Sequence, residues 1–270
     1  MRQIKLRHPR LWQRVSSVMW ARRALWLLAP LAVYMMVRQR VAVPGIFATI
    51  FAATILGKAL AAWEQSLRRQ FVRDAALPGF LIDKVQAAHP GLTQRDGELV
   101  LRGLRQFFMA HLRSKRQFVG MPSKVVDTAW HEFILHTRAY ELWCDSAFGK
   151  LLHHTPAEVL SRNNAKRNDG LRRTWYWACK EESIDPRLPT RLPLLFALDK
   201  KFGIEGGFVY EANCKSIENA SRSDTHCGSD FGGGSSGDGD SAGFGGSESS
   251  GGGEGGASGD GCGGGCGGGD

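Results

Sequence analysis

Apolar residues are spread along this chain in three different ways. Between positions 24 and 63 they run almost unbroken. Between 64 and 212 they recur every three or four residues. From 213 onward they nearly vanish into glycine, serine and aspartate. Each pattern predicts a different physical state.

The unbroken region contains two runs, Ala24–Val37 and Val41–Trp63, parted by Arg38-Gln39-Arg40. A helical span needs about 20 residues, which the second run supplies. Its single charge, Lys58, lies near the end and can snorkel to the interface. Pro44-Gly45 falls in its first turn, where a missing amide costs little. The first run has 14 residues and becomes long enough only with Trp20 and Ala21. No small-x-small cleavage site separates the runs, which argues against a secretory signal. An interfacial helix followed by one span is an alternative. The preferred expectation is a transmembrane helical hairpin with Trp20, Trp26 and Trp63 near the interfaces.

Over 64–212 the period is helical. Glu64–Ala76 continues out of the apolar run and stops at Leu77-Pro78-Gly79, and Phe80–Ala88 is closed by His89-Pro90-Gly91. Thr93 with Asp96 forms a capping-box pattern. The helix that follows carries one stripe: Val100, Leu101, Leu104, Phe107, Phe108 and Leu112. Pro122 fits the first turn of the next helix, whose wide apolar face is Val125, Val126, Ala129, Trp130, Phe133 and Ile134. Thr137 marks a new start, with a helix over 138–148 ending at Gly149. Thr155-Pro156-Ala157-Glu158 is a start signal. Helices over Leu171–Glu182 and Leu194–Phe202 follow, joined by a connector with Pro186, Pro189 and Pro193. No period-two alternation appears, so the domain is expected to be all-α. The predicted organisation is a basic segment (1–23), membrane helices (24–63), a soluble helical domain (64–212) and a disordered glycine-rich tail (213–270).

The net charge of +9 averages unlike parts. From Ser223 to Asp270 there are eight carboxylates and no Lys or Arg, so residues 1–222 carry +17. Seven cations precede the first apolar run, and Arg68, Arg69 and Arg73 follow the second. By the positive-inside rule both flanks of a hairpin lie in the cytoplasm. This predicts a bacterial inner-membrane protein with the bilayer as one partner and the domain and tail on the cytoplasmic side. Membrane topology accounts for this charge, so nucleic acid is not an expected partner. A protein partner is expected, and the oligomeric state is left open. In the tail, 22 of the last 50 residues are glycine, too little apolar area to offset the entropy of ordering. Cys262 and Cys266 there supply half a zinc site at most. A cytoplasmic location would keep all six cysteines reduced.

Candidate chemistry concentrates in Met121–Pro156, which holds four of the eight histidines. Asp127 and His131 are four apart, so they share a helix side outside the apolar face. An aspartate so placed can orient an imidazole whose other nitrogen binds metal or moves protons. Tyr140, Cys144, His153 and His154 could join if the helices fold back. A metal set of His131, Cys144 and His153, with zinc or another divalent transition metal, is one reading. A hydrogen-bonded structural cluster is another, and catalysis a third. The pair His131-Glu132 is not a zincin motif, because Leu135 stands where the second histidine belongs and His136 points elsewhere on the helix.

The run Val126-Asp127-x-x-Trp130-His131-x-Phe133-Ile134-Leu135, then Thr137-x-x-Tyr140-x-x-x-Cys144, Phe148-Gly149 and His153-His154, resembles the glycine-rich domain-containing protein-like family. Leu195-Phe196-Ala197-Leu198-Asp199 and the glycine-rich tail are similar to it as well. Plant members usually carry a second histidine two residues after the first, where this chain has Phe133. The resemblance implies a defined domain over about 119–210 and, for plant members, roles in stress and development. The leading expectation is a membrane-anchored binding or interaction module without enzymatic activity, the alternative a metal-dependent enzyme built on 121–156.

Overall fold

The computed structural model describes residues 9–154, 164–212, 225–227 and 231. Among them eight helices account for nearly all regular structure: α1 Pro9–Arg38, α2 Val43–Asp74, α3 Phe80–Ala88, α4 Gln94–Arg113, α5 Lys124–Leu135, α6 Thr137–Phe148, α7 Asn164–Glu181 and α8 Leu194–Phe202. The protein is mostly helical, as its periodicity predicts. The start signal at Thr155 and most of the tail lie outside the described residues. One short feature escaped the period-two reading: β1 Val209–Glu211 pairs in parallel with β2 Thr225–Cys227. Three residues are too few for alternation to register.

α1 and α2 pack antiparallel. Met36 accepts from the Thr49 hydroxyl at 3.4 Å, Trp26 packs on Gly57, and Arg22 reaches Glu64 at 2.9 Å. Their outer faces leave Trp26, Leu27, Leu28, Leu31, Phe47, Phe51, Ile55 and Leu56 exposed. Of the described helices, α2 alone is long and apolar enough to cross a membrane. α1 has a shorter charge-free run and Pro30 inside it.

α2 continues into the domain, and its last turns are buried there. Arg68 is only 2% exposed. Its Nε and Nη2 donate to Glu64 Oε1 at 3.0 and 2.8 Å, and its Nη1 donates to the carbonyls of Asp145 and Ser146 at 2.9 and 3.0 Å. The guanidinium thereby caps the last turn of α6, where helix carbonyls lack partners and a cation suits the dipole. Gly149 closes that helix at φ +75°, and a Cβ there would sit 2.9 Å from Arg68 Nη2. Glycine meets both demands at once.

α4 is the central helix, touching α2, α3, α5, α7 and α8. The full predicted stripe is buried, and so are Gly103, Gln106, Met109, Ala110 and His111. The second half of α4 is buried on nearly every side because other helices surround it, while its first turns keep a polar face. Its capping box forms as expected, with Thr93 and Asp96 exchanging both bonds. At Gly103 a Cβ would stand 2.6 Å from Leu198 and 3.1 Å from Val126, so α5 and α8 close on α4 only because that side chain is missing.

α5 begins at Lys124, so Pro122 lies just outside its first turn and not in it. Ser123 is its N-cap, and the Ser123 hydroxyl accepts from the Val126 amide at 3.4 Å. The stronger partner comes from α8. Asp199, 3% exposed, accepts from the Ser123 hydroxyl at 2.7 Å, the Lys124 amide at 2.7 Å, the Val125 amide at 3.1 Å and the Phe208 amide at 3.0 Å. A carboxylate from a distant helix thus caps α5, favoured by the positive end of its dipole.

Replacing Asp199 by Ala leaves two buried and two partly buried donors without this acceptor, and a fully buried orphan costs about 1–3 kcal/mol. The expected loss of stability is about 3–5 kcal/mol, and amide exchange at Lys124, Val125 and Phe208 should accelerate together. Denaturant unfolding and hydrogen exchange by mass spectrometry check both. Slow exchange at those amides in the variant would refute the capping role.

Candidate functional site

The α5 cap aims the first turn of that helix at a cavity. Asp127 lies one turn in, half-buried, and its carboxylate faces two imidazoles. His154 Nε2 stands 3.3 Å from Oδ1, and His131 Nδ1 stands 3.7 Å from Oδ2. The two imidazole rings are 4.3 Å apart edge to face, and His154 also packs edge-on against Trp130 at 4.8 Å. One ligand atom from each of Asp127, His131 and His154 lies within 4.8 Å of the others. This trio is the constellation among the described residues able to hold a metal ion through three side chains.

His131 reaches the trio by helix geometry, being one turn from Asp127 on the same side. His154 arrives from the segment after α6. The buried Tyr140 hydroxyl donates to the Leu152 carbonyl at 2.6 Å and accepts from Trp130 Nε1 at 3.0 Å. These two bonds tie the segment down to α5 and α6. Beyond Leu152 the neighbouring side chains diverge, leaving His153 exposed and turning His154 inward. Only one of two adjacent histidines can therefore join Asp127, and it is His154.

The other candidates stand elsewhere. Cys144 is wholly buried, against the Tyr140 hydroxyl and the Leu152 backbone. Burial pushes its thiol up to about 11, so it is a neutral core group at physiological pH. Burial likewise raises Tyr140, followed by the neighbouring Cys144. Of His131, Cys144 and His153, the structure brings only His131 into the trio. Trp130, Tyr140 and Trp143 are all core residues.

The cavity beside Asp127 and His154 has a volume of about 760 Å³, in the range that takes small molecules. Buried Phe107, Val119, Trp130 and Tyr210 form its floor. Arg116, Lys124 and Lys150 stand around it with three histidines, against the single carboxylate of Asp127. Lys124 Nζ donates to the Glu205 carbonyl at 2.8 Å. Arg116 is within electrostatic reach of Arg68, Glu64 and Arg22 at the foot of the long helices. Phe231 closes one side, packed against Trp175 at 5.7 Å and Tyr210 at 6.1 Å.

Three participants had no role assigned from the sequence: Asp199, quoted only as the end of a resembling run, His111 and the cationic surround. Asp199 lies 76 residues from Ser123, and no local pattern connects them. His111 sits within the apolar stripe of α4, which offered a cue, since a polar residue on a buried face needs a partner. Its Nδ1 lies 3.2 Å from the Gln117 carbonyl.

A comparison with known protein families matches residues 67–231 to the UCP032817-like family, and the chain belongs to it. No curated protein and no solved structure matches the chain.

Burial lowers His111 from 6.5 to about 4, against a smaller opposing effect of the Gln117 carbonyl. On acidification the unfolded chain takes up this proton first, near pH 6.5, while the folded chain resists until about pH 4. Stability therefore falls as pH drops through that interval. Between pH 7.5 and 5 the wild-type protein should lose on the order of 2 kcal/mol more than a His111→Leu variant. Denaturant midpoints at the two pH values read the difference, and parallel losses in both proteins would refute it.

Proposed function

We propose that this member of the UCP032817-like family is a membrane-anchored binding module whose ligand is an amphipathic anion held in the cavity beside Asp127. The observation that carries this reading is the cavity's combination of an aromatic and aliphatic floor with Arg116, Lys124 and Lys150 around it. Apolar burial supplies the affinity and the cations select a negative head group. A single-chain lipid or long-chain carboxylate meets both requirements.

The anchor is α2, with α1 beside it as the second arm of a transmembrane hairpin. The exposed apolar belts support this. On α1 the belt runs from Trp20 to Val37, interrupted by Arg22 and Arg23, and on α2 from Val43 to Trp63, interrupted by Lys58. At 1.5 Å per residue these are about 26 and 30 Å, close to the hydrocarbon thickness of a bilayer. Trp20 and Trp63 are both exposed at the same end, where aromatic side chains favour the interface. The cations flanking the pair put the domain and the glycine-rich tail on the cytoplasmic side of a bacterial inner membrane. Arg116 then lies close to the bilayer surface, where a lipid-derived anion is encountered. The glycine-rich tail is a segment available to a protein partner. The resemblance to glycine-rich domain-containing proteins agrees with this reading and adds no substrate.

A photoreactive long-chain fatty acid tests the ligand. With the full chain in detergent, cross-links are expected in peptides covering 107–124 and 150–154. Filling the cavity with Met121→Trp, or reversing charge with Lys150→Glu and Arg116→Glu, should cut that labelling about tenfold, as loss of about 1.4 kcal/mol would. Labelling confined to α1 and α2, as any membrane helix would give, sinks the cavity reading.

A further inference from the structure

We propose that Asp127, His131 and His154 bind one divalent transition-metal ion, with zinc the best-suited occupant, in the wall of the cavity.

The distances favour an ion over a hydrogen-bonded cluster. Charge-assisted N–H···O bonds close to about 2.7–2.9 Å. The contacts to Asp127 stand at 3.3 and 3.7 Å, the second too long for a hydrogen bond. Nitrogen and oxygen ligands held about 2.0–2.1 Å from a tetrahedral ion are separated by about 3.3–3.4 Å. Both contacts to Asp127 are already near that spacing, and the three ligand atoms lie within 4.8 Å of one another, so side-chain rotations can bring them to one ion.

Charge points the same way. One carboxylate cannot neutralise two imidazolium rings 4.3 Å apart, and two neutral rings leave one nitrogen of each without a partner among these three side chains. A divalent ion satisfies the carboxylate and both rings together. Two imidazoles and a carboxylate are a familiar donor set for zinc and for ferrous iron.

The supports are rigid. Asp127 and His131 share α5, whose first turn is clamped by Asp199. His154 is steered by the Tyr140–Leu152 bond and by the edge of Trp130. Asp127 and His154 line the cavity, whereas the exposed His131 closes the trio from outside. Three protein ligands leave at least one coordination position free, and here it faces the cavity. Binding of the ion itself needs only these three side chains, so it can be measured apart from the cavity's ligand.

The test uses the full chain without a histidine tag, stripped with chelator in detergent, and titrated with zinc alone and with cobalt(II) as a spectroscopic stand-in. About one ion per chain is expected, with cobalt bands of a nitrogen–oxygen site and no sulfur charge-transfer band. Affinity should fall at least tenfold in His154→Ala, in Asp127→Asn and in His131→Ala. It should be unchanged in His153→Ala, Cys144→Ser and the Cys262→Ser, Cys266→Ser pair. His131 is the most exposed of the three, so its variant keeps the test valid if another disturbs folding, which circular dichroism reports. A folded chain that binds no stoichiometric ion overturns the proposal. So does binding that survives loss of His131 and His154, or that disappears with the cysteines. Failure of fatty-acid labelling would leave these readouts unaffected.

Discussion

A buried carboxylate receives four hydrogen bonds at the meeting point of α5, α8 and the strand that follows, and much else in the domain depends on it. Asp199 takes the first two amides of α5, the cap hydroxyl beside them and an amide from the chain entering β1. Without it a helix N-terminus would be buried with its donors unpaired, which no apolar packing could offset. With it, the axis and rotation of α5 are set. Asp127 and His131 then point where they do because they stand one turn apart on a helix whose start is held from outside.

A second buried charge links the long helices to this domain. Arg68 pairs with Glu64 within α2 and spends its remaining donors on the end of α6, while Glu64 also meets Arg22 of α1. Because Arg68 is dry, its charge is tolerable only with these partners in place. The consequence is mechanical. α2 is not a free tether ending near the domain but one of its packed helices, so the orientation of the domain relative to the exposed apolar belts is fixed. The cavity, with Arg116 near the foot of α1 and α2, inherits that orientation.

Between these two anchors lies a wall in which aromatic packing and polar chemistry share the same side chains. Trp130 packs against Phe107 on one side and His154 on the other, and its indole donates to Tyr140. Tyr140 passes that constraint to Leu152, two residues before His154. Residues that read as core are thus the positioning elements of the histidine, and removing any of them would disturb the trio without touching its ligand atoms.

The sequence alone determined most of the helices, although α7 starts at Asn164, seven residues before the expected Leu171. Helical periodicity located α3 and α8 to the residue, the Thr93–Asp96 box began α4, and Gly149 ended α6, because caps and apolar spacing are local properties of the chain. It also determined that Asp127 and His131 share a helix side, since that follows from four-residue spacing. Tertiary structure decided the rest. Whether His153 or His154 turns inward depends on the Tyr140–Leu152 bond. Whether Cys144 is a ligand or a core thiol depends on how α6 packs. Asp199 became the cap of α5 only when two segments 76 residues apart met. These are contacts between elements, and spacing along the chain carries no record of them.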